Sequence, residues 1–219
     1  MEAKYPIVMT ILGMMALFGC ASHEIKALTP HPIEAYQIRQ AVAGVTIAAD
    51  AFNTKEKVQQ AFTLDLTEEG FCPILLVMDN RSSDNILLSK DEIELVDSRG
   101  NVLKPTPANI MIEKFEKNKM AYALLGFGIF SYMSAEEANK KMLSDWSSKE
   151  LPAEKILIPN RKTHGVVYFK VGERLTTLPN STLHIPLRNM RTQEMHSVKL
   201  RIAEGVSVPD VERAPSAPK

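Results

Sequence analysis

Two stretches near the end of the chain keep a strict period of two. Leu183, Ile185 and Leu187 alternate with polar residues, and so do Val198, Leu200 and Ile202. Only a β-strand puts alternate side chains on opposite faces, so each stretch must bury one face and wet the other. The polar run 189–194, "NMRTQE", joins them as a hairpin. The apolar faces then fix the register: Leu187 falls opposite His196, His196 shares the face of Val198, and His184 looks the other way with Thr182 and Pro186.

A second kind of strand appears at 71–80, "FCPILLVMDN". This run is apolar almost without interruption, which predicts a central strand. Pro73 lacks an N–H and must sit in its first residues or at a bulge. Further strands are expected at 42–50, 86–88, 93–105 around a Ser98-Arg99-Gly100-Asn101 turn, 155–159 and 163–171. Many short strands with polar turns predict a mainly β fold, an antiparallel immunoglobulin-like β-sandwich. The antibody hallmarks are missing: the single tryptophan, Trp146, falls in a helical pattern, and no cysteine pair lies in the strands.

Helical signals interrupt this pattern. Residues 53–62 carry Val58, Ala61 and Phe62 at helical spacing behind an Asn/Thr cap. Residues 106–118 begin with Thr106 as cap and Pro107 at the first helical position, with Ile110, Met111 and Phe115 on one face. Residues 134–146 open on Ser134 and Glu137, spaced as a capping box, and place Ala138, Met142 and Trp146 four apart. The sandwich, 42–203, is therefore expected to hold a helical insertion at about 106–151. Residues 204–219 carry three prolines and few large apolar groups, and are expected to be a disordered tail.

The start of the chain speaks to location. Pro6–Phe18 is thirteen residues without a charge, short of the roughly 20 that span a bilayer, and fits the apolar region of an export signal. It ends in Leu17-Phe18-Gly19-Cys20. This tetrad resembles the lipobox of bacterial lipoproteins. The resemblance implies that 1–19 is a signal peptide, that the Cys20 thiol receives a diacylglyceryl group, and that cleavage precedes Cys20. Two or more acyl chains anchor stably where one does not. Residue 21 is Ala and not Asp, which in such lipoproteins points to the outer membrane, at its periplasmic face. Residues 20–41 then read as a lipidated tether. The segments 71–105 and 158–171 resemble a pattern found in uncharacterised bacterial lipoproteins and envelope proteins with an Ig-like domain. That likeness implies a fold and no catalytic residue.

Residues able to do chemistry are sparse. Basic and acidic residues balance at 26 each, leaving no field to draw nucleic acid. There are five histidines, and the register above keeps His184 and His196 apart; no HExxH or paired CxxC appears, so no metal or cofactor is expected. No GxSxG or SxxK offers a nucleophile, and Cys72, in an apolar strand, reads as a small core residue. The chain is not expected to be an enzyme. The segment 120–133, "MAYALLGFGIFSYM", has fourteen residues without a charge. As a helix it would run about 21 Å, short of a bilayer core of about 30 Å. It is either packed on the sandwich or offered, through Leu124, Leu125, Phe127, Ile129 and Phe130, to lipid or a partner. The expected role is that of a non-catalytic, lipid-anchored envelope protein, a binding or assembly module that uses this insertion on an envelope partner. The other reading is a carrier of an apolar ligand, or an accessory enzyme, with a pocket between insertion and sheet.

Overall fold

The structure, a computed structural model, describes residues 25–113, 115, 131–172, 178, 180–202, and for 131–139 the backbone alone. The fold is mainly β. Its strands are β1 Arg39–Val42, β2 Val45–Ala51, β3 Phe71–Asn80, β4 Ile86–Ser89, β5 Glu94–Val96, β6 Val102–Leu103, β7 Glu154–Leu157, β8 Arg161–Lys170, β9 Thr182–Asn189 and β10 Met195–Arg201. Among the described residues two helices, α1 Lys55–Ala61 and α2 Ser131–Lys149, accompany them, with a further helical stretch at 108–113. The helical residues 108–113 and α2 lie between β6 and β7 in the chain.

The strands form two antiparallel sheets. One runs β1-β2-β3-β8. In the other, β9 pairs with β10 on one side and with both β4 and β5 on the other. β4 and β5 act as one strand broken by a single helical turn at Lys90–Glu92, and they carry β7 and β6 on their outer edges. A core between the sheets takes Ile74, Leu76 and Met78 from β3, Val167 and Phe169 from β8, and the alternating apolar residues of β9 and β10. The β9–β10 register pairs Leu187 with His196, as the apolar alternation requires.

A third layer covers the outer face of the first sheet. There Phe71, Leu75 and Val77 of β3 and Val166 and Tyr168 of β8 meet α1, the 108–115 region, α2 and the N-terminal segment. Every residue of β3 is therefore buried, which is why its sequence is apolar without period. Pro73 fits because the β2–β3 ladder stops at Ala51↔Ile74; beyond it, the Pro73 carbonyl accepts from Phe52 N at 2.9 Å, and no donor is needed from Pro73. Thr54 caps α1, its Oγ1 accepting from Lys57 N at 3.3 Å.

Three expectations need correction. The tether read over 20–41 is, from Ile33 on, part of the fold. Ile33 and Tyr36 are buried, the Arg39 guanidinium donates to the carbonyls of Glu34 and Tyr36, and Arg39–Val42 is β1. Its apolar residues show no period because they dock an irregular chain onto a sheet. The first strand, expected at 42–50, is two strands. They are split by a tight turn in which Ala43 and Gly44 both have positive φ, 48° and 79°. Ser134 and Glu137 do not start a helix: α2 is already running at Ser131, since Ser-Tyr-Met holds no residue that breaks one. The tail at 204–219 lies outside the described residues.

The 80–85 loop closes β3 onto the second sheet. Asn80, fully buried, donates to the carbonyls of Asp84 and Leu157, each at 2.8 Å, and accepts from Ser82 N and Oγ at 2.9 and 2.6 Å. Asp84 in turn accepts from Arg191 Nε and Nη2 at 2.6 and 2.8 Å and from Asn189 Nδ2 at 2.9 Å, tying the loop to the β9–β10 turn. The Arg191 hydrogen bonds hold the Asp84 carboxyl down at about 2, from an ordinary 3.8. Because the folded value is depressed, this stabilisation is complete above the unfolded value and is lost as pH falls from about 4 through about 2. Thermal melts across that window should fall less steeply for Asp84→Asn than for the natural chain; equal slopes would show that Asp84 does not contribute.

Candidate functional site

The polar feature with the most unusual composition lies where α2 ends. Asp145 and Lys149 stand one turn apart on α2, with side chains fully buried and 6% exposed, and the Lys149 ammonium lies 2.7 Å from Asp145 Oδ1. The same ammonium donates to the Ala61 carbonyl at 2.8 Å and sits 4.9 Å from the Phe62 ring centroid, so α2 is locked to the end of α1. The next residue, Glu150, takes the Lys90 ammonium at 2.5 Å on one oxygen and Ala108 N at 3.3 Å on the other. Two ion pairs thus join α1, α2, the 108–113 stretch and the break between β4 and β5.

Tyr168 completes the cluster. Its hydroxyl donates to the Trp146 carbonyl at 3.0 Å. Burial foremost, then the charges of Glu150 and Asp145, push the phenol well above its ordinary value, so it stays a neutral donor. Past Glu150 the chain returns to the first sheet, where Leu151 N donates to Val166 O at 2.8 Å. Gly165 makes this approach possible: a Cβ there would come within 3.0 Å of Leu151 Cα.

Beside this cluster is an open cleft of about 360 Å³. One wall is the N-terminal segment 25–28; the others are the last turn of α2, with Asp145, Ser148 and Lys149, and the β7–β8 region, with Lys155 and His164. The lining is largely charged. Lys26 donates to the Gln59 carbonyl, and the Lys155 side chain makes no bond among the described residues.

The residues singled out from sequence fall elsewhere. Cys20, and with it the 1–19 segment, lies outside the described residues, as do Leu124, Leu125, Phe127, Ile129 and Phe130. His196 and His184 occupy opposite faces of the second sheet, and His164 lines the cleft. Among the described residues, no three His, Cys, Asp or Glu side chains converge as a metal site. Cys72 is a buried free thiol in the inter-sheet core, pushed up to about 12 chiefly by burial. No described helix is long and apolar enough to cross a membrane. Sequence reasoning missed Asp145, Lys149, Glu150, Lys90 and Lys155. Only Asp145–Lys149 had a local signal, its i,i+4 spacing.

No family model matches the chain, and no curated protein matches it in sequence. Among solved structures, it is similar to the yjhA protein from Bacillus subtilis, with 13% identity, a TM-score of 0.37, and 75% of this chain and 97% of that chain covered. It is also similar to a functionally unknown protein from Listeria monocytogenes EGD-e, with 12% identity, a TM-score of 0.39, and 76% and 82% covered. At these scores the likeness assigns neither a fold family nor an activity.

The Asp145–Lys149 pair generates a stability prediction. Lys149→Met removes the nearest countercharge of a buried carboxylate and should destabilise the fold by about 3–5 kcal/mol. Adding Asp145→Leu should recover most of that loss, since breaking a buried pair costs far more than replacing it. Urea midpoints of the two single variants and the double variant measure the coupling; additive effects would mean that the two charges do not interact.

Proposed function

We propose that this protein is a lipid-anchored component of a bacterial cell envelope that works without catalysis, as a binding or assembly module. In this reading residues 1–19 are removed, Cys20 carries the lipid, and the protein sits at the periplasmic face of the outer membrane. The body is an immunoglobulin-like sandwich with a helical insertion between β6 and β7. The observation that carries the reading is Leu17-Phe18-Gly19-Cys20 at the end of an uncharged apolar run.

The fold adds support through length. Ile25, in the wall of the cleft, is only five residues beyond Cys20, a reach of at most about 18 Å. Ile33 and Tyr36 then bury the chain in the helix-covered side of the first sheet. A lipid on Cys20 would therefore hold that side near the membrane on a short leash. The charged lining of the cleft suits a polar ligand better than the apolar cargo of a carrier.

Intact-mass analysis of the protein from its own cells should show residues 1–19 absent and residue 20 acylated. Cys20→Ala should move the protein out of the membrane fraction. An unmodified Cys20 would overturn the anchor and the location together. The binding role has a separate test in the segment 120–133, the proposed contact through Leu124, Leu125, Phe127, Ile129 and Phe130. Leu125→Glu with Phe127→Glu should leave the thermal midpoint unchanged while abolishing crosslinks to an envelope partner. If the midpoint collapses, the segment belongs to the core and the contact surface is elsewhere.

A further inference from the structure

We propose that the cleft at the end of α2 is a binding site for a phosphate-bearing anion. The argument is an account of charge. Two carboxylates reach the cleft, and each has its own lysine: Asp145 has Lys149 at 2.7 Å, and Glu150 has Lys90 at 2.5 Å. Two carbonyls in the last turns of α2 also have donors of their own. Trp146 O accepts from both the Tyr168 hydroxyl and Glu150 N, each at 3.0 Å, and Asp145 O accepts from Ser148 Oγ at 2.7 Å.

What remains in the lining is positive. Lys26 uses one of its three N–H donors on the Gln59 carbonyl and forms no ion pair among the described residues. Lys155 is half-buried and has no side-chain partner among the described residues. His164, exposed on β8, also lines the cleft and adds a ring N–H. These donors come from three separate chain segments. Such an arrangement fits a tetrahedral anion, which presents oxygens in several directions, better than a planar carboxylate, which pairs best with one guanidinium fork.

Two sources supply this chemistry: a phospholipid headgroup and a soluble phosphate. The headgroup rests on the lipid-anchor reading, which would place the cleft within the short leash from the membrane. The phosphate chemistry does not rest on it.

The test uses the full chain purified from its own cells in a neutral detergent, titrated calorimetrically with inorganic phosphate and, separately, with short-chain phosphatidylglycerol. Saturable binding of at least one is expected. Removing each of two lysines beside an anionic group should weaken it about fivefold, so Lys26→Gln with Lys155→Gln should weaken it about twenty-five-fold. Arg188→Gln with Lys199→Gln, on the outer face of the second sheet, should change nothing. Tighter binding of the lipid supports the headgroup as source; equal or tighter binding of inorganic phosphate supports a soluble ligand. Binding of neither probe, or undiminished binding in the Lys26/Lys155 variant with its melting curve unchanged, overturns the proposal. Intact mass read on the same sample keeps failure of the anchor separate from failure of the cleft.

Discussion

Burial of β3 on both faces is the constraint on which the rest of the molecule depends. Cys72, Ile74, Leu76 and Met78 fill the space between the sheets, while Phe71, Leu75 and Val77 face the helices. A strand with two apolar faces cannot stand in a two-layer sandwich with one side in water. It obliges the chain to provide a third layer, and the layer is assembled from pieces distant in sequence: Ile33 and Tyr36 before the first strand, α1 after the second, and the helical residues between β6 and β7. Aromatic edges join these pieces to one another. Phe62 meets Phe52 and Tyr168 edge-on at 6.0 and 6.1 Å, and Phe115 meets Trp146 at 5.1 Å.

The same demand explains how the helical residues leave and rejoin the first sheet. They do both at the open edge of β8. Thr106 N donates to Tyr168 O at 2.7 Å as the chain departs, and Leu151 N donates to Val166 O as it returns. These bonds satisfy carbonyls on a strand edge that would otherwise invite pairing with another chain. They also place Glu150 beside that edge, where it meets Lys90 from the break in the β4–β5 strand. A continuous β4–β5 strand would pair with β9 throughout. The single turn at Lys90–Glu92 instead puts Lys90 at the boundary, with its N donating to Ala153 O at 2.8 Å.

Much of the β architecture was legible in the sequence because its causes are local. The alternation in β9 and β10 gave their faces and register. The unbroken apolar run gave β3 as central, and polar turns separated most other strands. What escaped had non-local or atypical causes. Ala43 in a left-handed conformation is rare enough that "VAGV" reads as continuous strand. Leu28, Ile33 and Tyr36 dock without period, so no pattern distinguishes them from a tether. The Lys90–Glu150 pair joins residues sixty apart, and the cleft gathers Lys26, Lys155 and His164 from three segments. None of these has a sequence neighbour that foretells it. The continuous apolar run did hold one unused clue: a strand with no wet face already implied something lying on its far side.

Buried ion pairs are poor sources of stability, since desolvation offsets much of the attraction, and their retention calls for another reason. Here the two pairs fix geometry. Lys149 holds α2 to the end of α1, and Glu150 holds the exit of α2 to both the 108–113 stretch and Lys90. An apolar pair of equal volume would lack the directional contacts that Lys149 makes to the Ala61 carbonyl and Glu150 to Ala108 N. Fixing α2 in this way fixes the wall of the cleft beside it. It also occupies the carboxylates that would otherwise neutralise the lysines of that cleft. The interior charges thereby serve the surface: by pairing with one another under the helix, they leave a positive lining where the chain emerges toward its N-terminus.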